Sequence, residues 1–131
     1  MASRTHRNDL SQKELEALCA EWQKVLRLSD WRVRVRYATH DKELDCQGWF
    51  DAEPRKRQAI IKLQPFKFNS VCRDPLEMTL VHELVHIHLL PLAPDNRPEH
   101  TDVALEQAVD ALAYALFTTK YPNWKDAYVR P

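Results

Sequence analysis

The stretch LVHELVHIHLL, residues 80 to 90, sets three histidines and a glutamate among apolar neighbours. Asp74-Pro75-Leu76-Glu77 stands ahead of it. There the aspartate reads as an N-cap, the proline sits where its missing N–H costs nothing, and the glutamate closes a capping box. Pro91 follows and stops a helix. A helix between those two signals fixes what the polar residues can do. His82 and His86 are four apart and share one face, one turn above the other. His88 lies about 200° round the helix from His86 and points elsewhere, to a core or surface contact.

His82, Glu83 and His86 form an H-E-x-x-H pattern. On one helical face both imidazoles reach a single ion, and the glutamate lies beside them, placed to take a proton from a metal-bound water. A random chain of this composition would contain about 0.02 such matches, so chance is a poor account of it. The competing reading is two core histidines satisfied by hydrogen bonds, with no metal.

A second segment bears on the choice. VALEQAVDALAYALF, residues 103 to 117, is apolar almost all round, which predicts a buried helix running to about Thr119. Glu106 and Asp110 are its only acids, four apart on one face. Two buried carboxylates without partners would cost several kcal/mol, roughly, and a cation offsets that cost. Glu106 is therefore the candidate third ligand. Asp110, one turn on, is the candidate acceptor for the distal N–H of a ligating histidine, which would fix its tautomer. His100, with 13 residues between it and His86, is the competing third ligand.

H-E-x-x-H followed on a second helix by E-x-x-x-D, with 19 residues between His86 and Glu106, resembles the gluzincin (thermolysin-like) metallopeptidases. In its short length and order of elements the chain is similar to minigluzincins and to small phage putative metallopeptidases. The motif part spans about residues 75 to 117; upstream, the likeness rests on element order. The resemblance implies one zinc ion per chain, held by His82, His86 and Glu106. It implies Glu83 as general base, Asp110 behind the ligands, and peptide-bond hydrolysis through a zinc-bound water. SprT-like proteases, which act on DNA-bound proteins, use a histidine at a spacing similar to that of His100, but Thr101 stands where their glycine is usual. The metzincin pattern fails, with Leu89 and Leu92 at its glycine and histidine positions.

The rest of the chain predicts an α+β domain over residues 1–131, with three or four strands in a mixed or antiparallel sheet. Residues 1 to 10 are polar and read as a frayed start. Ser11-Gln12-Lys13-Glu14 is a capping box, and a helix follows to about Leu28 with a stripe of Leu15, Leu18, Cys19, Trp22, Val25 and Leu26. Trp31, Val33, Val35 and Tyr37 alternate with Arg32, Arg34 and Arg36, which predicts a strand. Its arginines form either a solvated face or a basic ridge for an acidic partner. CQGWFD and QAIIKL flank EPRKR as a hairpin, and Gly48, the only glycine, marks a bulge or a close approach. Asn96-Arg97-Pro98-Glu99 is another capping-box candidate.

Composition sets the outer limits. The chain has 131 residues, enough for one core, and 19 basic against 19 acidic residues. That balance argues against a dedicated nucleic-acid binder. No stretch is long and apolar enough to span a bilayer, and MASRTHRNDL lacks the apolar region of a secretory signal. Cys19, Cys46 and Cys72, odd in number and widely spaced, read as free thiols in a cytoplasmic protein.

The functional expectation is a zinc-dependent endopeptidase that takes a protein or peptide substrate. An extended substrate would pair with an edge strand, CQGWFD or QAIIKL. Tyr114, Tyr121, Tyr128, Arg97 and His100 are candidates for assisting the oxyanion. The aromatic and acidic tail, residues 120–131, is a candidate autoinhibitory segment. A zinc-stabilised interaction module without catalysis is the alternative of a different class.

Overall fold

A computed structural model describes residues 6–38, 48–64, 74–92 and 99–127, in the order helix, three strands, helix, helix. The first helix, α1 (Gln12–Val25), starts as its sequence predicts. Ser11 Oγ accepts from the Glu14 N–H, and the Glu14 carboxylate accepts from the Ser11 N–H. The helix stops at the Leu26 cap, short of Leu28, because the chain turns into the left-handed region at Arg27, with φ 60°. Arg27 N–H then reaches the Lys24 carbonyl and Leu28 N–H the Gln23 carbonyl. This is the paired hydrogen-bond closure of a Schellman motif, with arginine where glycine is usual.

Strands β1 (Arg32–Tyr37), β2 (Gly48–Glu53) and β3 (Gln58–Leu63) form one mixed sheet in the order β1-β3-β2. β2 and β3 make the expected antiparallel hairpin, turned by Pro54–Lys56 and by Arg57 at φ 50°. β1 runs parallel to β3. Period-two alternation places Val35, Ala59, Ile61 and Leu63 inward, where they are buried. Arg32 and Arg34 stay exposed on the opposite face.

Helix α2 (Leu76–Leu89) lies under the sheet and is the central element of the core. Leu76, Leu80, Val81 and Leu84 are at most 1% exposed. Asp74 does not cap it, and Glu77 closes no box: Pro75 is the cap residue, without a side-chain cap bond. The Leu76 N–H is taken instead by Asn8 Oδ1 at 2.9 Å. The expectation of a frayed start thus does not describe residues 6 to 10. His6 packs its ring on Phe117 and Tyr121, and Tyr37 donates to the Leu10 carbonyl.

Glu77 has a larger part. Its carboxylate is buried and accepts from Trp22 Nε1 of α1 at 2.7 Å, from Lys120 Nζ at 2.6 Å and from Tyr121 Oη at 2.6 Å. Lys120 ends α3 (Glu99–Lys120), so one carboxylate ties three helices together. α3 packs on α2, but it is not the buried helix its composition predicts. A single stripe, Val109, Ala113 and Phe117, is buried, while Val103, Leu112 and Tyr114 remain exposed. Alanine is small enough to sit on a surface helix without a large desolvation demand, so an alanine-rich run does not separate buried from exposed faces.

Cys19 is buried, and burial pushes its thiol up to about 12, which leaves it unreactive. Cys46, Cys72, the Asn96 capping box and the last four residues of the tail lie outside the described residues. No helix among the described residues is long and apolar enough to cross a membrane.

Glu77→Ala should destabilise the fold by roughly 3 kcal/mol or more, because Trp22 and Tyr121 lose their buried acceptor and the mostly buried Lys120 ammonium keeps only the Glu21 carboxylate at 3.4 Å. Asp30→Ala, which removes an exposed partner of Arg57, should cost under about 1 kcal/mol. Urea unfolding of the two variants beside the wild type checks the contrast.

Candidate metal centre

His82 and His86 project from α2 on the side that faces α3, and Glu106 of α3 meets them. His82 Nε2 stands 3.2 Å from Glu106 Oε1, and His86 Nε2 stands 2.9 Å from Glu106 Oε2. The two Nε2 atoms are 3.3 Å apart. Ligand atoms placed about 2.0–2.1 Å from a tetrahedral ion lie ~3.4 Å from one another, so the spacing fits one ion. His82, His86 and Glu106 are the group of three side chains, among the described residues, that cluster closely enough to hold a metal.

Asp110 sits behind this group. Its Oδ1 is 2.9 Å from His82 Nδ1. A carboxylate accepts, so Nδ1 donates to Asp110, and in the neutral ring this leaves the Nε2 lone pair for an ion. Two imidazole nitrogens and a carboxylate oxygen drawn this close need positive charge among them, which a proton or a metal cation supplies. That is the fit of these residues to a metal ion. The carboxylates themselves are not buried: the side chains of Glu106 and Asp110 are 52% and 68% exposed. The desolvation cost that first singles them out is therefore small, and it is their position that brings them to the site.

Glu83 is the buried acid. It is 5% exposed, its Oε1 lies 3.9 Å from His82 Nε2, and its Oε2 has no hydrogen-bond partner among the described residues. Burial, with the carboxylates of Glu106 and Asp110 adding to it, pushes the Glu83 carboxyl up to about 8. A dication at the triad would reverse the sign of the local field and draw it down again.

The sheet approaches the site through β2. Phe50 stacks on His86, with centroids 4.8 Å apart and planes at 18°. Gly48 lies against α2, and a Cβ there would stand 2.6 Å from Thr79 Cγ2 and 3.2 Å from Glu83 Cγ. The glycine marks a close approach, and the unbroken pairing of β2 with β3 shows no bulge. A cleft of about 300 Å³ opens here, lined by Gly48, Asp74, Thr79, His82, Glu83, Glu106 and Asp110. Asp74, read as a cap, belongs to this cleft. Partial burial, then the Asp110 carboxylate, holds its carboxyl above the usual range, with His82 partly offsetting. Phe50 and Asp74 carry no sequence signal for the site, since only the fold brings β2 and the start of α2 to it.

Other candidates fall elsewhere. His88 Nε2 meets the Leu26 carbonyl at the end of α1. His100 lies on α3 six residues before Glu106, about 9 Å along the axis, and its side chain is outside the described part. Tyr121 is engaged with Glu77, and Tyr114 packs edge-on against Trp124. Arg97 and Tyr128 lie outside the described residues. The tail folds back on α3: Trp124 Nε1 donates to Thr118 Oγ1, and its ring meets Phe117. None of residues 121–125 lines the cleft.

Comparison of the chain with protein-family models, with curated proteins and with solved structures gave no match.

Gly48→Ala should cost roughly 1–3 kcal/mol, because the added methyl drives against Thr79, whose hydroxyl bond to the Pro75 carbonyl holds its rotamer. Urea unfolding measures it, and stability equal to wild type would mean the β2–α2 approach is looser than described.

Proposed function

We propose that this chain is a zinc-dependent endopeptidase of the minimal gluzincin type, with one zinc ion held by His82, His86 and Glu106. The observation that carries the reading is the unpartnered, buried Oε2 of Glu83 beside a three-residue group that fits a metal. A site that only stabilises a fold needs no such acid, and three protein ligands leave a fourth position open. Zinc bound there would supply Lewis-acid polarisation of a carbonyl and acidification of a water.

The chain's own residues have distinct tasks. Glu83 accepts the proton of the attacking water and passes it to the leaving amine. Asp110 holds the His82 tautomer, and Phe50 fixes the His86 ring. Among the described residues β3 is the central strand, so of the two hairpin strands β2 is the one that offers an edge for a substrate. The outer edge of β2 would pair with an extended peptide through main-chain hydrogen bonds. The tail packs on α3 outside the cleft, so closure of the site by residues 121–125 is not part of the proposal. A DNA-directed reading with His100 as ligand gains nothing from the balanced charge, and the closeness of Glu106 to both histidines supports Glu106 as the third ligand.

The test is cleavage of a mixed peptide library by zinc-loaded protein, read by mass spectrometry, with Glu83→Gln beside wild type. Glu83→Gln is expected to keep its zinc and lose cleavage by at least about 10²-fold. A zinc-loaded Glu83→Gln that cleaves as wild type does would overturn the proposal.

A further inference from the structure

The sheet has a second face that the metal site does not use. The helices pack on the inner face, through Val35, Ala59, Ile61 and Leu63. Among the described residues no element covers the outer one. At its centre Ile60 is 40% exposed, and beside it Trp49 is 41% exposed. Around them the charges are sorted by strand. β1 carries Arg32, Arg34 and Arg36; β2 carries Asp51 and Glu53. Arg32, Arg34 and Asp51 make no ion pair among the described residues. A shallow groove of about 430 Å³ runs between the two rows, over Ile60.

The register puts these side chains on three levels. Arg32, Gln58 and Glu53 share one level; Arg34, Ile60 and Asp51 the next; Arg36, Lys62 and Trp49 the third. A two-fold axis parallel to the strands, between two such faces, preserves the level and exchanges the β1 side for the β2 side. Arg34 of one copy then meets Asp51 of the other, Arg32 meets Glu53, and Arg36 meets the Trp49 ring. Gln58, Ile60 and Lys62 each meet their own copy on the axis, and each Lys62 Nζ is drawn aside over the Trp49 ring of its own chain, 4.7 Å from the centroid. Lys62 apart, whose like charge meets its own copy, the two outer rows are thus complementary to each other, the requirement for an isologous contact.

We propose that this face is the contact through which two copies of the chain pair, sheet on sheet, with the β1 arginine row of each over the β2 acidic row of the other. Sheets packed face to face keep their strands nearly aligned, as this axis demands. Three strands of six residues offer on the order of 500 Å² per copy, which sits at the lower limit for specific contacts. The dimer is accordingly weak, and its dissociation constant rises with salt. The contact leaves the metal cleft free, because the cleft lies under the inner face.

Sedimentation velocity over a concentration series tests it, on wild type, Arg34→Asp, Asp51→Arg and the double variant Arg34→Asp/Asp51→Arg, each checked for folding by its thermal melt. Each single variant sets like charges face to face twice and should weaken the dimer at least about tenfold. An equimolar mixture of the two single variants restores both attractive pairs and should dimerise, and so should the double variant alone. The double variant keeps the test open should either single variant fail to fold. A wild type that stays monomeric at every concentration overturns the proposal. So does a dimer that persists unchanged in the single variants, which would place the contact on another surface, such as the exposed Val103 and Leu112 side of α3.

Discussion

The Glu77 carboxylate is the interaction on which the arrangement turns. It is buried, it takes three donors from α1, from the end of α3 and from the residue beyond it, and it sits on the central helix. Glu77 and His86 are nine residues apart, about 180° round α2. Fixing Glu77 at the back of the helix therefore fixes which way His82 and His86 point at the front. The same bonds set the height of α3 against α2, since Lys120 and Tyr121 can reach Glu77 in one register only. Glu106 and Asp110 then fall opposite the histidines.

The site inherits its precision from that packing. α3 touches α2 through a narrow stripe of Val109, Ala113 and Phe117, and Glu106 and Asp110 flank the stripe with their carboxylates partly in water. Exposure leaves them little electrostatic reason to approach the histidines on their own account. A bound cation would give them one, and the Asp110 contact with His82 Nδ1 would leave the Nε2 lone pair for it. On the other side, Gly48 lets the β2 backbone lie directly on Glu83, while Phe50 from the same strand stacks on His86.

Much of this was legible in the sequence where the signal was local. The Ser11 box, the arginine alternation of β1, the hairpin and the H-E-x-x-H helix are set by neighbours within a few residues. Asp74-Pro75-Leu76-Glu77 looks like Ser11-Gln12-Lys13-Glu14 but behaves otherwise. The second is a capping box in water; in the first, Glu77 is drawn into the core by Trp22, Lys120 and Tyr121, residues far off in the chain. That leaves the Leu76 N–H to Asn8. α3 departs from its expected burial for a related reason, since an alanine-rich helix carries no sign of how many neighbours cover it. Phe50 reaches His86 only through strand order, which no local pattern encodes.

One zinc ion held by His82, His86 and Glu106 is the proposal on which the chemistry of the site rests. X-ray absorption at the zinc edge, on protein loaded with one equivalent and freed of excess, tests it most directly beside a Glu106→Ala variant. The account requires one tightly held zinc with two imidazoles and light oxygen ligands at ~2.0–2.1 Å, and a shell that loses its carboxylate oxygen, with much weaker binding, in Glu106→Ala. A folded wild type that retains no zinc, or a shell and affinity unchanged by Glu106→Ala, would contradict it.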